Sequence, residues 1–333
     1  MKRKASLFIS TTLFATAFFV VVFVANQLIE LAGHLGSLHP GAGALLIILS
    51  SAIISFVLFF GFRFFSLPSK PSLPDDENSK AMAPYLSFMT GRVPIHPRHP
   101  EPVKHKKDQR WLRTNLKLLD TDSLNITREI ATRNFFVGAF AQNTSYGTTT
   151  SLINNLKVVW NIYTLHNREQ HLREFIILAR SVYEYLPLSD FKKEDIQAHI
   201  KPIIQSAFSN TLSSLLPAGN LLAPFFLNLF LAGATNTYLT CLAGIIATRH
   251  CQTMTKEDQK EIIQQSTFEA SFMLKEIIRE CNPILSVTIS NAIKKAGLES
   301  LDTMQSPSAG SGMAKDIVSH LASSLKSMLK ENG

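Results

Sequence analysis

The sequence predicts an all-α protein: an N-terminal two-helix transmembrane hairpin, then a cytoplasmic helical domain with a buried or membrane-associated apolar hairpin. Three observations predict it. Two long runs near the N-terminus carry no charged residue, apolar residues recur at helical spacing after residue 110, and no stretch alternates like a half-buried strand. Composition agrees, because 46% of the 333 residues are hydrophobic and only 17% charged, with mean hydropathy +0.11. That excludes a disordered or collagen-like chain. The expected layout is a hairpin over 1–67, a basic proline-rich linker over 68–110 and a helical domain over 111–305. A flexible linker with a C-terminal amphipathic helix then fills 306–333.

The first element is read from Ala5–Ile29, which has no charge and is long enough, at about 1.5 Å per residue, for a hydrocarbon core of ~30 Å. A cleaved signal peptide shares the basic Met1-Lys2-Arg3-Lys4 start, but this run outlasts a signal's apolar region and no small-x-small cleavage site follows it. The second element is Gly41–Phe62, and the loop with Gly33, Gly36, Pro40 and Gly41 turns the chain between them. Lys2, Arg3 and Lys4 precede the first helix and Arg63 and Lys70 follow the second, whereas the loop has no Lys or Arg. The positive-inside rule therefore places both termini in the cytoplasm. Ser50, Ser51, Ala52 and Ser55 permit close helix approach, so a homo-oligomer stays open. His34 and His39 in the loop have no carboxylate or cysteine beside them and read as solvated, not as metal ligands.

Prolines break the next segment, and between Arg92 and Lys117 eight basic residues face two acidic ones. This local excess holds much of the net charge of +8. Beside a membrane helix, Lys104, Lys106, Lys107, Arg110 and Arg113 are expected to bind anionic lipid, at about 1 kcal/mol per residue close to the surface. Nucleic acid is not expected, because only Trp111 interleaves the basic run. His96, His99 and His105 have spacings that suit a metal, but a flexible tract is a poor preformed site.

Helical faces follow: Leu152, Leu156, Val159, Trp160 and Tyr163, then Phe175, Ile176, Ala179, Val182, Tyr183 and Leu186. Ser189 and Thr255, the latter with Asp258, are expected N-caps. From Pro202 to Thr248 the chain has 47 residues without Asp, Glu, Lys or Arg, enough to cross a bilayer. Asn220, Asn228, Asn236, Thr237 and Thr240 favour a hairpin buried in the helical domain, since unsatisfied polar groups are costly in lipid. In the last segment Met313, Ile317, Leu321, Leu325 and Met328 share one helical face. It suits a partner helix, a membrane surface or its own domain equally.

No nucleotide-binding, GxSxG or HExxH motif occurs, and the three cysteines lack CxxC spacing, so no catalytic residue, cofactor or metal site is expected. Asn134 beside Arg133 is a polar island in an apolar segment, explained by capping or a buried hydrogen bond. His250, between Arg249 and Cys251, has no matching second cluster.

Three stretches, ITREIATRNFFVGAFAQNTSYGTTTSLINNLKVVWNIYTLHN, LREFIILARSVYEYL and FLNLFLAGATNTYLTCLAGIIATRHC, together resemble the YcjF-like bacterial inner-membrane proteins. The shared domain of that family also occurs attached to Era-like GTPases and has no established biochemical role. The resemblance covers about residues 125 to 280. Its matching positions are Arg133, Asn134, Leu239, Thr240 and Gly244, with no catalytic assignment for any of them. Two departures stand out. Leu242 takes the place of the Arg in the family's Leu-Thr-x-Arg-Leu-Gly pattern, and the cytoplasmic extension before the first membrane helix is nearly absent. The resemblance implies a membrane-anchored, non-enzymatic docking or regulatory protein in the bacterial inner membrane, with a GTPase as partner. A pore or transport component using 202–248 is the alternative.

Overall fold

The computed structural model describes residues 19, 22–37, 39–66, 68, 70–102, 108–140, 144–186, 190–215, 223–301 and 320. Among these residues every regular element is an α-helix. The chain divides into two compact units, Met1–Ser66 and Leu67–Gly333.

The first unit holds α1 (22–37) and α2 (Pro40–Phe65). His39 caps α2 by accepting the Gly41 N–H at 3.2 Å on Nδ1, and Pro40 sits at the start of the helix, where a missing N–H costs nothing. A Cβ on Gly43 would stand 2.5 Å from the Ala32 carbonyl, so glycine there lets α1 and α2 approach. Over Gly41–Phe65 the mean hydropathy is 2.6 and none of the most apolar window is buried inside the fold. Ile48, Leu58 and Phe62 are exposed among many other large apolar side chains.

The second unit is a helical bundle: α3 (Met82–Arg92), α4 (Gln109–Phe140), α5 (Thr144–His166), α6 (Leu172–Tyr185), α7 (Asp190–Leu215), α8 (Ala223–Gln252) and α9 (Lys256–Leu301). The axis of this bundle is α8, with α4, α5, α6, α7 and α9 packed around it. Phe230–Gln252 is long and apolar enough to cross a membrane, with mean hydropathy 1.4, yet 83% of its most apolar window is buried within the fold. Glycine permits the closest crossings, since a Cβ on Gly244 would meet Thr127 Oγ1 at 2.3 Å and one on Gly233 would meet the Phe135 carbonyl at 2.6 Å. Thr255 caps α9 by accepting from Asp258 N at 3.2 Å, and Asp258 Oδ2 accepts in return from Thr255 N at 3.0 Å. The expected cap is thus formed, with aspartate in the reciprocal role of a capping box. Ser189 and residues 216–222, which join α7 to α8, lie outside the described residues.

The segment expected to be a linker is in large part folded. Met82, Tyr85, Met89 and Val93 form a second core with Trp111, Leu112, Leu116, Leu119 and Met254. Backbone bonds from Lys256 N to Pro74 O at 2.9 Å and from Arg168 N to Arg92 O at 3.0 Å stitch it to the bundle. His96 and His99, expected in a flexible tract, are buried: His96 Nε2 lies 3.0 Å from Asp122 Oδ2 and His99 Nε2 lies 3.2 Å from the Trp111 carbonyl. Prolines stopped continuous helix but not folding, because side chains of α4 satisfy the broken backbone, as Asn115 does for His96 N at 2.8 Å. The α5 and α6 faces also shift. Val158, Val159, Ile162 and Tyr163 are buried, while Leu152, Leu156 and Ile176 are exposed.

Candidate functional site

The positions matching the family pattern gather at the crossing of α4, α5 and α8. Asn134 is fully buried and donates from Nδ2 to Thr240 Oγ1 at 2.7 Å, while its Oδ1 accepts from Asn154 Nδ2 at 2.9 Å. Thr240 Oγ1 in turn lies 2.7 Å from Asn155 Oδ1. Leu239 is buried beside it, and Gly244 gives α8 the clearance to lie against Thr127. Arg133 points outward and pairs with Glu129 at 3.0 Å, one turn away. Asn134, Leu239, Thr240 and Gly244 therefore fix how three helices cross, and a buried polar network of this kind specifies register.

Of the residues expected to bind anionic lipid, Lys104, Lys106 and Lys107 lie outside the described residues. Arg110 is exposed at the start of α4, and Arg113 is exposed but paired with Glu77. Lys256 is likewise paired, with Asp75 at 2.7 Å. The acidic Asp75 and Glu77 fold back onto basic residues and reduce the free positive charge on this side.

Between α4 and α9 runs an apolar groove of ≈ 420 Å³, walled by Leu124, Ile245 and Met273 and edged by Phe268 and Phe272. These two phenylalanines, four residues apart, are 76% and 62% exposed. Ion pairs rim it: Arg128 with Glu280, and Arg249 with Glu269 through Nη2 at 2.8 Å to both carboxylate oxygens. An apolar centre within a charged rim is the composition of a protein-binding surface.

A second concavity, ≈ 160 Å³, lies among α3, α5, α6 and the C-terminal end of α8. Titratable groups converge on it. Arg92 bonds Asn167 Oδ1 through Nε and Glu174 through Nη2. The Tyr163 hydroxyl accepts from His171 N at 2.8 Å and lies 3.1 Å from Glu174 Oε2, and the Tyr85 hydroxyl donates to the Thr253 carbonyl at 2.9 Å. Burial pushes both phenols up to about 12 and the Cys251 thiol up to about 12 as well. Burial lowers His166, and burial together with nearby Lys70 lowers His250. At neutral pH the phenols and thiol keep their protons and both imidazoles are uncharged. A protonated thiol is a poor nucleophile. The sequence marks His250 alone and does not reveal the cluster, because its members come from five segments between Lys70 and Cys251. No group of three metal-ligating side chains occurs among the described residues. Compared with known proteins, the chain matches no family model, no curated protein and no solved structure.

Proposed function

We propose that this protein is a membrane-anchored, non-enzymatic docking or regulatory subunit whose partner, a GTPase, sits in the groove between α4 and α9. The observation that carries the anchored part is the contrast within one chain. The most apolar window of α2 is wholly unburied by the protein itself, whereas Leu67–Gly333 forms a separate compact unit with its own core. An apolar helix of 25 residues left bare in water is costly at about 25 cal/mol per Å², and a bilayer removes that cost. In this reading α1 and α2 form a hairpin in a bacterial inner membrane, with both termini cytoplasmic by the Lys/Arg asymmetry. Arg110, without an ion pair among the described residues, and the basic residues just before it add attraction to anionic lipid.

The docking role rests on the exposure of Phe268 and Phe272 at an apolar groove, and the class of partner rests on the resemblance of residues 125–280 alone. The burial of α8 favours docking over a pore, since a pore needs α8 to leave the bundle and to abandon the bonds that Thr237 makes to the Ala131 carbonyl and Thr240 to Asn134. A photo-crosslinking amino acid at Phe272, activated in native membranes, tests the reading. Expected is one major adduct whose partner is retained on immobilised GTP and released by free GTP. An adduct that ignores GTP overturns the GTPase, and the same adduct pattern from a crosslinker placed at Arg180, exposed on α6, overturns the groove.

A further inference from the structure

We propose that the cavity among α3, α5, α6 and α8 is a binding site for a small monocarboxylate with a short apolar body, held by Lys70, Arg92 and His250. Three features of the cavity carry this. The first is a charge imbalance. Lys70 and Arg92 bring two positive charges to the wall, and among the described residues Glu174 is its only carboxylate. That carboxylate is already taken by Arg92 and lies 3.1 Å from the Tyr163 hydroxyl. Among the described residues no carboxylate takes the Lys70 ammonium, which is exposed at the mouth, 5.9 Å from the centre of the Tyr85 ring. One further negative charge completes the site.

The second feature is an unsatisfied polar atom. His250 Nε2 is buried on this wall with no hydrogen-bond partner among the described residues, a condition that costs free energy unless a ligand or water meets it. The other polar groups are already committed, His166 Nδ1 to the Ile162 carbonyl at 3.0 Å and Asn167 Nδ2 to the Tyr163 carbonyl at 2.6 Å. Lys70, one face of Arg92 and His250 are thus the groups free to recognise something. The carboxylate end of a ligand satisfies all three, since a carboxylate accepts from ammonium, guanidinium and an Nε2–H imidazole tautomer alike.

The third feature is size and lining. A cavity of ≈ 160 Å³ suits a ligand of a few carbon atoms. Phe88, Ile177 and Leu178 supply an apolar part of the wall. A single surplus positive charge matches a monoanion better than a phosphate dianion, and the apolar wall gives the carbon chain a dry place.

The test uses the full chain in detergent with butyrate as probe, butyramide as its uncharged isostere and inorganic phosphate as a dianion, all at constant ionic strength. Isothermal titration is expected to show saturable butyrate binding, with butyramide and phosphate at least about tenfold weaker, the loss of one charge-assisted hydrogen bond. Lys70→Gln should weaken butyrate about tenfold while leaving a cooperative thermal melt, because among the described residues no carboxylate pairs with Lys70. Butyrate should also slow alkylation of Cys251 by a neutral maleimide, read by peptide mass spectrometry. No saturable butyrate binding, equal binding of butyramide, or binding untouched by Lys70→Gln each overturns the proposal. Saturable binding that leaves Cys251 alkylation unchanged overturns its location.

Discussion

Among the described residues two helices are long and apolar enough to cross a bilayer, and the protein treats them in opposite ways. None of the apolar window of α2 is covered by other parts of the fold, and 83% of that of α8 is. Length and absence of charge do not distinguish them. What differs is where polar atoms fall. Along α8, Thr235, Thr237 and Thr240 recur within two turns, and the structure gives them partners on their own helix and on α4 and α5. Thr237 Oγ1 donates to the Gly233 carbonyl at 2.9 Å and lies 3.3 Å from the Ala131 carbonyl, and Asn134 donates to Thr240. The middle of α2, ALLIILSSAIISFVLFF, offers only serines, which a helix satisfies internally. An apolar helix studded with amides and hydroxyls at fixed spacing belongs inside a bundle, and one without them suits lipid.

The sharpest way to break this comparison is one charge in each helix. Ile246→Asp on α8 buries an unpaired carboxylate at a position with no exposure, so the bundle should lose about 3–5 kcal/mol, enough to abolish a cooperative melt by circular dichroism. Ile48→Asp on α2, at 70% exposure, should leave that melt in place and instead reduce recovery in the membrane fraction. If both substitutions unfold the bundle, or neither does, the distinction between the helices fails.

A smaller effect is expected at Gly244. Alanine there would add a Cβ 2.3 Å from Thr127 Oγ1 and 2.5 Å from its Cγ2, both on a buried, inflexible side chain. Overpacking of this kind costs about 1–3 kcal/mol, more than the ~1 kcal/mol that alanine gains over glycine as a helix former. Thr127→Ala in the same chain removes Oγ1 and Cγ2 but keeps its Cβ at 2.9 Å, so urea titration should show partial, not full, recovery. Below that lies the Asn134–Thr240 bond. A double-mutant cycle with Asn134→Ala and Thr240→Val should give a coupling of about 1 kcal/mol, and additivity would remove these two residues as a register device.

How much of this was legible in the sequence follows the same division. The apolar run of α2 and the capping pair Thr255 and Asp258 are local signals, and the sequence reading names them. The preference for burying the uncharged 202–248 segment also came from local chemistry, the amides and hydroxyls around Asn236. Folding of residues 70–102 was not legible, because its determinants are distant: Tyr85 bonds the carbonyl of Thr253, 168 positions away, and His96 bonds Asp122. Asn134 stood out as a polar residue in an apolar setting, but nothing local pointed to Thr240, 106 positions on. The cavity was invisible for the same reason. Each of Lys70, Arg92, Glu174 and His250 reads as an ordinary surface or core residue until the bundle brings them together.

The smallest expected effect sharpens the contrast between buried and exposed polar groups through pH. His166 lies at 1% exposure near the end of α5, where burial holds its pKa below the ordinary 6.5 despite the nearby Asp120 carboxylate, which acts the other way. Its Nδ1 serves the Ile162 carbonyl and its Nε2 faces Gln252 at 3.4 Å. The unfolded chain therefore binds a proton at this residue more readily than the folded one. Stability from His166 is complete above pH 6.5 and is lost as pH falls below that value toward the lower folded pKa, at no more than about 1.4 kcal/mol per pH unit for one proton. His250, also lowered by burial, acts in the same direction. Between pH 7.5 and 5.5 the thermal midpoint of the bundle should fall, and His166→Gln should make that fall shallower by removing one of the two contributions. A His166→Gln variant whose midpoint declines as steeply as the parent's would place the pH sensitivity elsewhere and leave His166 a packed, non-titrating member of the bundle.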